Sequence, residues 1–511
     1  MIAATYGRLR VTDPLRWQQA AAGWRAWAAR AGRWSARLRS HAARLTAAWS
    51  GAAARAALAG AERLRHRLDL FRVTCWQVDQ ALTEFGAALS RARTLLTSAT
   101  RAGFVIDDEG TVRGPAGPAL TATVAALRSA LVVAAGADAT TTSRLAGLGD
   151  LTVEPVEGSL PSCTAPAADV RRWWEGLSPA QRRWLVTSNP AWIAALDGVP
   201  AADRDLANRL LLDDRRSALD RAIADARGHE RRKLRALRDG LDALADRLAD
   251  DAGPRAYLLA LDLDGDGRAV VALGDPGRAT DVLTQVPGMT TDLASYDGEL
   301  SRAERVAVRA AELAPARAIS TVLWLGYDAP DFVDEAAGRG RAQAGATGLR
   351  RFQEGLRAAH LDTGGVHLTV LGHSYGSLVV GSAAAQPGLQ ADDVVFVGSP
   401  GVGVDTAKDL HAGRVWATTS PSDVIQYLPV APRSLVGDLA VTAAAPVLGG
   451  LAAFGRPEQE LWFGTNPSDP RFGARVFASQ PDGGHLGYWD PGRPALDAIT
   501  QITVGRDVTP R

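Results

Sequence analysis

Ser374 stands in Gly372-His373-Ser374-Tyr375-Gly376, between an alternating β-branched run at His367–Leu371 and a run of small residues compatible with a helix. A serine hydroxyl becomes a nucleophile when it sits on a tight strand-to-helix turn with a general base in reach. Glycine on either side suits such a turn, because side chains there would collide with neighbouring backbone. A helix beginning at Tyr375 would aim its dipole at a developing oxyanion. The pattern Gly-x-Ser-x-Gly is weak alone; the strand before it and the helix after it give it force. The chemistry it suggests is acyl transfer.

On this kind of turn the acid and the base follow the serine in the order Ser, Asp or Glu, His. Of eight histidines only His411 and His485 follow Ser374. His411 precedes the strand that should deliver the acid. His485, in Gly483-Gly484-His485-Leu486, lies after the last expected strand, where the base belongs. Asp423, in "TTSPSDVIQYL", follows the strand near Arg414–Thr419 and is the expected acid; it would fix the imidazole tautomer and stabilise the imidazolium. Asp469, in "TNPSDPRFG", is the competitor. The expected oxyanion donors are the backbone N–H of Tyr375 and that of Met289, in "VPGMTT", where Gly288 lets the backbone approach the substrate. Neither metal nor cofactor is called for. Asp262-Leu263-Asp264-Gly265-Asp266-Gly267 imitates a calcium loop, but Leu273 occupies the place of the bidentate Glu, so a hairpin turn is expected.

These residues need a scaffold. After Gly253 strands are expected at Tyr257–Leu261, Ala269–Leu273, Val282–Val286, Thr321–Leu325, His367–Leu371, Asp393–Val397, Val415–Thr419 and Ala474–Ala478. Helices are expected at Leu293–Leu313, Gly348–Ala359, after Ser374, and near Pro494–Ile502. Strands alternating with helices imply an α/β fold, a mostly parallel sheet covered by helices over 253–511, preceded by an all-α N-terminal region. The segment 424–463 reads as an irregular insertion whose apolar stretch suits a lid or an acyl-chain wall and equally suits packing beside the sheet.

Before that, 1–136 reads as a helical hairpin region, 137–166 as a Thr/Gly/Pro-rich linker and 167–252 as helical. Within 1–101, Asp13-Pro14 signals a helix start. Trp17, Trp24, Trp27 and Trp34 recur at helical spacing. Leu64, Leu68, Phe71, Cys75, Val78, Leu82, Phe85, Leu89, Ala92 and Leu96 form a heptad seam. The two rows are expected to bury each other as a unit independent of the chemistry. A small β-hairpin is expected around Asp108-Glu109-Gly110, and one charged helix over Arg215–Ala249.

Two resemblances follow. Trp49-Ser50-Gly51 between long helices resembles the WXG-type hairpins of bacterial type VII secretion; this implies a possible helical protein partner at 1–101, although no Tyr-x-x-x-Asp/Glu export signal follows the second helix. Residues 167–511 resemble an actinobacterial alpha/beta-hydrolase family long catalogued as a domain of unknown function, through "WWEGLSPAQ", "LDGVPAADRDLANR", "DLDGDGRAVVALGDP", "VPGMTTDL", "LGYDAP", "LTVLGHSYGS", "VGSPGVGVD", "FGARVF" and "GGHLGYWD". That resemblance implies serine-hydrolase chemistry with Ser374, Asp423 and His485 as the triad.

Composition narrows the classes. The 511 residues carry a net charge of +1, with arginine as nearly all the basic charge; Lys233 and Lys408 are the only lysines. Nothing points to nucleic acid. Two cysteines cannot build a cysteine-based zinc site, and Cys75 falls in a helix core. No apolar run is expected to span a membrane, and no signal-peptide core is visible, which implies a cytoplasmic or type VII-like exported protein. The expected function is a serine hydrolase acting on a carboxylic or lipid-like ester. The alternative is a secretion-linked interaction or effector protein whose hairpin docks a partner and whose hydrolase domain is the payload.

Overall fold

The computed structural model describes residues 5–100, 103–148, 152–250, 253–331, 333–336, 338–360, 364–427 and 459–510. Most of the insertion 424–463 therefore lies outside the described residues.

Helices open the chain: α1 (Tyr6–Val11), α2 (Pro14–Ala48) and α3 (Ala52–Thr100). Asp13 caps α2 by accepting from Leu15 N–H at 3.0 Å, with Pro14 at the first helical position. Gly51 (φ 104°) makes the reversal between α2 and α3. Strands β1 (Val105–Ile106) and β2 (Val112–Arg113) form the small antiparallel hairpin expected there. Helix α4 (Pro118–Ala146) returns along α3.

The tryptophans do not form the α2–α3 seam. Ala21, Ala28, Ala31 and Ser35 are buried, whereas Trp27 and Trp34 are each 47% exposed. Two long helices in close contact leave room only for small side chains between them, and indoles are displaced to the rim. Trp17 meets Phe85 edge-on from that rim, and Arg30 lies over the Trp27 ring. The heptad seam of α3 is shared among several partners rather than given to α2. Phe85, Leu89, Ala92 and Leu96 pack with α1 and α4; Val78 and Leu82 meet Ala21 and Leu145; Cys75 joins the core of the following helices.

Helix α4 corrects one further expectation. It continues to Ala146, so the first part of the expected linker is helical. Among the described residues it is also the one helix long and apolar enough to cross a membrane by length and composition. Its apolar content is spread over alanine, leucine and valine and interrupted by threonines and Arg128, so no obvious run marks it in the sequence.

Next come α5 (Ala167–Gly176), α6 (Pro179–Ser188), α7 (Pro190–Ala195), α8 (Ala201–Asp225) and α9 (Gly228–Ala249). The single charged helix expected over Arg215–Ala249 is two helices, broken before Gly228 (φ 57°). Trp174, Leu185, Ile193 and Leu206 from this group close over Val73, Cys75 and Trp76 of α3.

The remaining elements are β3 (Ala256–Asp262), β4 (Arg268–Leu273), β5 (Asp281–Val286), α10 (Tyr296–Leu313), β6 (Ile319–Trp324), α11 (Val333–Ala336), α12 (Gly340–Ala358), β7 (His367–His373), α13 (Gly376–Ala384), β8 (Asp393–Val397), β9 (Arg414–Thr418), β10 (Glu460–Leu461), β11 (Gly464–Thr465), β12 (Arg475–Val476) and α14 (Pro494–Thr503). Eight strands make one sheet in the order β12-β9-β8-β7-β5-β6-β4-β3, parallel from β12 to β6, with β4 and β3 antiparallel at the edge. The acidic turn at 262–267 is the β3–β4 hairpin. Alternation sorts the core: Leu371, Val395, Val397 and Trp416 face α14, while Leu368, Val370, Val394 and Phe396 face the layer holding Leu349 and Leu378. From β5 the chain passes to β6 on one side, then crosses back to β7 on the other. The β5 and β7 loops therefore diverge at a topological switch point, where open α/β sheets hold ligands.

The α2–α3 pair is tied to the sheet edge and to α8 by buried charges. Asp79 on α3 is fully buried and paired with Arg25 of α2 and Arg255 at the start of β3. Arg255 also reaches Asp205 of α8 at 3.5 Å; Asp205 is held by Arg209 Nε at 2.9 Å, by Gln80 of α3 at 3.1 Å and by Leu258 N–H at 2.8 Å. Glu84 accepts from Tyr257 of β3 and from Arg144 of α4 at 2.5 Å. Buried charges require partners, and here those partners lie on the sheet edge and on α8.

Candidate active site

At the carboxyl end of β7, Ser374 has φ 53°, a left-handed conformation unusual outside glycine. Its N–H donates to Val397 O at 3.1 Å, and Ser377 N–H donates back to Ser374 O at 2.9 Å, which starts α13. The flanking glycines are sterically required. A Cβ on Gly372 would lie 2.6 Å from Ser377 Cα, and one on Gly376 would lie 2.3 Å from Val286 O. The loop after β5 crosses directly over the serine: a Cβ on Gly288 would sit 2.7 Å from Ser374 Cβ and 3.1 Å from Oγ. Met289 follows, half-buried, then Thr290 with φ 61°. Among the described residues neither the Tyr375 nor the Met289 N–H is taken by a hydrogen bond.

His485 Nδ1 lies 3.0 and 2.9 Å from Asp423 Oδ1 and Oδ2. Asp423 is fully buried and also accepts from Tyr488 OH at 2.5 Å and Ile425 N–H at 3.0 Å. Burial disfavours the carboxylate, yet His485 and these donors outweigh it and hold its pKa below the ordinary value. Burial likewise disfavours the imidazolium, and the Asp423 charge overcomes it, so the His485 pKa is raised. The ring edge stands over Gly398, where a Cβ would be 3.3 Å from His485 Cε1 and 2.7 Å from Asp423 Oδ2. Gly398 directly follows the Val397 carbonyl that holds Ser374 N–H. The structure thus gathers Ser374, Asp423 and His485 at the ends of β7, β8 and β9. Among the described residues no hydrogen bond joins Ser374 Oγ to His485.

Asp469 is occupied elsewhere. It caps a short turn by accepting from Arg471 N–H at 2.9 Å and Arg471 Nε at 3.1 Å. His411 is on the loop before β9, its N–H donating to Ala384 O.

Two groups escape the sequence reading. Tyr488 accepts from Ser420 N–H at 2.9 Å while donating to Asp423, so it ties the acid loop to the base loop. Its spacing of three after His485, on a short 3₁₀ turn, was the available signal. His373, beside the serine, packs on the His485 ring at 4.8 Å between centroids and places Nε2 3.0 Å from His485 O. Burial, then the neighbouring His485, hold His373 well below the ordinary imidazole pKa, so it is neutral and steadies the loop.

A family model agrees with this architecture. Residues 262–432 match the model of an alpha/beta hydrolase family (Abhydrolase_8), and the chain carries an alpha/beta hydrolase domain. An uncharacterized protein of Mycobacterium tuberculosis strain H37Rv, Rv2079, is 30% identical over 393 residues, covering 69% of this chain and 57% of its own length. An uncharacterized protein of Mycobacterium bovis, Mb0988c, is 38% identical over 180 residues, covering 33% of this chain and 66% of its own. The chain thus spans little more than half the length of the first of these relatives. A solved arylesterase structure overlaps 56% of this chain and 95% of its own, at 11% identity and a TM-score of 0.29.

Proposed function

We propose that this protein is a serine hydrolase cleaving an acyl ester bond, with Ser374 as nucleophile, His485 as base and Asp423 as the acid that orients it. The observation that carries the reading is the paired Asp423 and His485 brought to a serine held at φ 53° beneath the Gly288 loop. In this scheme His485 Nε2 takes the Ser374 proton as Oγ attacks the substrate carbonyl. The oxyanion of the tetrahedral intermediate is received by the N–H groups of Tyr375 and Met289. His485 then returns the proton to the departing alkoxide, leaving an acyl-serine. Water, deprotonated by His485, attacks that ester and restores the serine. Asp423 stays ionised and stabilises the imidazolium. Ester substrates of small-molecule or lipid-like kind suit this chemistry. A fluorophosphonate should label the folded protein on the peptide holding Ser374, read by mass spectrometry. Labelling elsewhere, or none, would sink the proposal.

A further inference from the structure

A cavity of about 580 Å³ lies at the opposite end of the sheet from Ser374, where α3, α4, α5, α6 and the β4–β5 turn meet beside Thr280 and Gly365. That volume suits a small-molecule ligand. Arginines reach it from four separate elements: Arg144 of α4, Arg171 of α5, Arg182 of α6 and Arg278 of the β4–β5 turn. Arg182 spends its hydrogen bonds on backbone carbonyls, Trp174 O at 3.0 Å and Glu175 O at 2.9 Å; among the described residues no carboxylate pairs with it. Arg278 touches Glu84 and Asp275 only at 3.9 and 3.7 Å.

Arg144 and Arg171 are matched by Glu84 and Glu175, each at 2.5 Å, which leaves Arg182 and Arg278 as the lining arginines with no carboxylate inside 3.5 Å among the described residues. Burial pushes Asp203 up, although Trp174 Nε1 donates to it at 3.0 Å. Burial and then Glu84 push Asp275 up to about 6. Guanidinium groups stay charged throughout.

We infer that this cavity binds a small oxyanion, a phosphate or carboxylate compound, with Arg182 and Arg278 gripping the anion. The site exists only where the N-terminal helices meet the sheet, so the occupant also bridges the two. It is separate from the ester site and stands whether or not Ser374 is the nucleophile.

Isothermal titration calorimetry of the full chain with inorganic pyrophosphate and with citrate tests this and separates phosphate from carboxylate preference. Saturable one-to-one binding of at least one probe is expected. Losing a charged hydrogen bond is worth about 1.5–3 kcal/mol, so Arg182→Gln combined with Arg278→Gln should weaken binding about tenfold or more. Exposed Arg278→Gln alone should weaken it measurably with an unchanged thermal melt, which guards against a folding artefact in the double variant. Ser374→Ala and the distant surface variant Arg235→Gln should bind as the parent does. Absence of saturable binding for both probes, or equal binding by parent and Arg278→Gln, overturns the inference.

Discussion

Two of the regions in which this protein buries carboxylates completely do so to opposite ends. Asp423 is paired with His485, whose side chain is 30% exposed and which can gain and lose a proton. Asp79 and Asp205 are paired with Arg25, Arg255 and Arg209, which cannot. The first pairing suits chemistry because an imidazole can take up and release a proton. The second fixes two elements together because its charge state does not change. Between these two regions the partner, more than the depth of burial, makes the difference.

The comparison breaks most sharply by removing one charge from each region. Asp423→Asn should lower ester hydrolysis by about 10⁴, because the imidazole then favours the wrong tautomer, with little change in the thermal melt. Asp79→Asn should do the reverse. It strands Arg25 and Arg255, a cost of about 3–5 kcal/mol seen as a lower unfolding midpoint, while activity per folded molecule holds. If folded Asp79→Asn is inactive, the two regions are coupled and the contrast fails.

The pH profile sharpens it next. Only neutral His485 accepts the serine proton, so kcat/KM should fall on acidification. Because Asp423 raises the His485 pKa, the midpoint of that acid limb should lie above 6.5, the ordinary imidazole value. Asp423→Asn should move it down. A midpoint unmoved in that variant would mean another group controls the limb.

Smaller effects separate the seam of the α2–α3 pair from its rim. Ala28→Leu should destabilise by about 1–3 kcal/mol through overpacking, whereas Trp27→Ala should stay within about 0.5 kcal/mol. Equal melts for the two would return the tryptophans to the core. Smallest of all for catalysis, Asp469→Asn should leave ester turnover near the parent's, since Asp469 is a turn cap; a loss matching Asp423→Asn would exchange their roles.

How legible each region was in sequence follows from the same physics. Strand alternation and β-branched runs located β3 to β9 to within a residue or two, because burial on both faces of a parallel sheet leaves little choice. The meeting of Asp423 with His485 followed from chain order on a strand-turn-helix elbow. The α2–α3 packing was misread, since alanine occurs on every face of α2 and only tertiary contact shows which alanines are inside. Tyr488 was missed because a phenol's use depends on the local turn. The charged ties escaped because Asp79 and Arg255 are separated by 176 positions, and nothing local in either segment announces the other. The heptad seam, expected to face the tryptophan row, is instead shared from Cys75 to Leu96 among α1, α2, α4 and the helices that follow, while Leu64 stays 51% exposed.

That separation also sets a schedule. At about 5–20 residues per second of synthesis, Arg255 emerges on the order of ten to thirty-five seconds after Asp79. For that interval the nascent α2–α3 pair holds an aspartate beside Arg25 with its second arginine not yet made. The N-terminal helices can form early, but they reach their final charge balance only once the first strand of the sheet has left the ribosome.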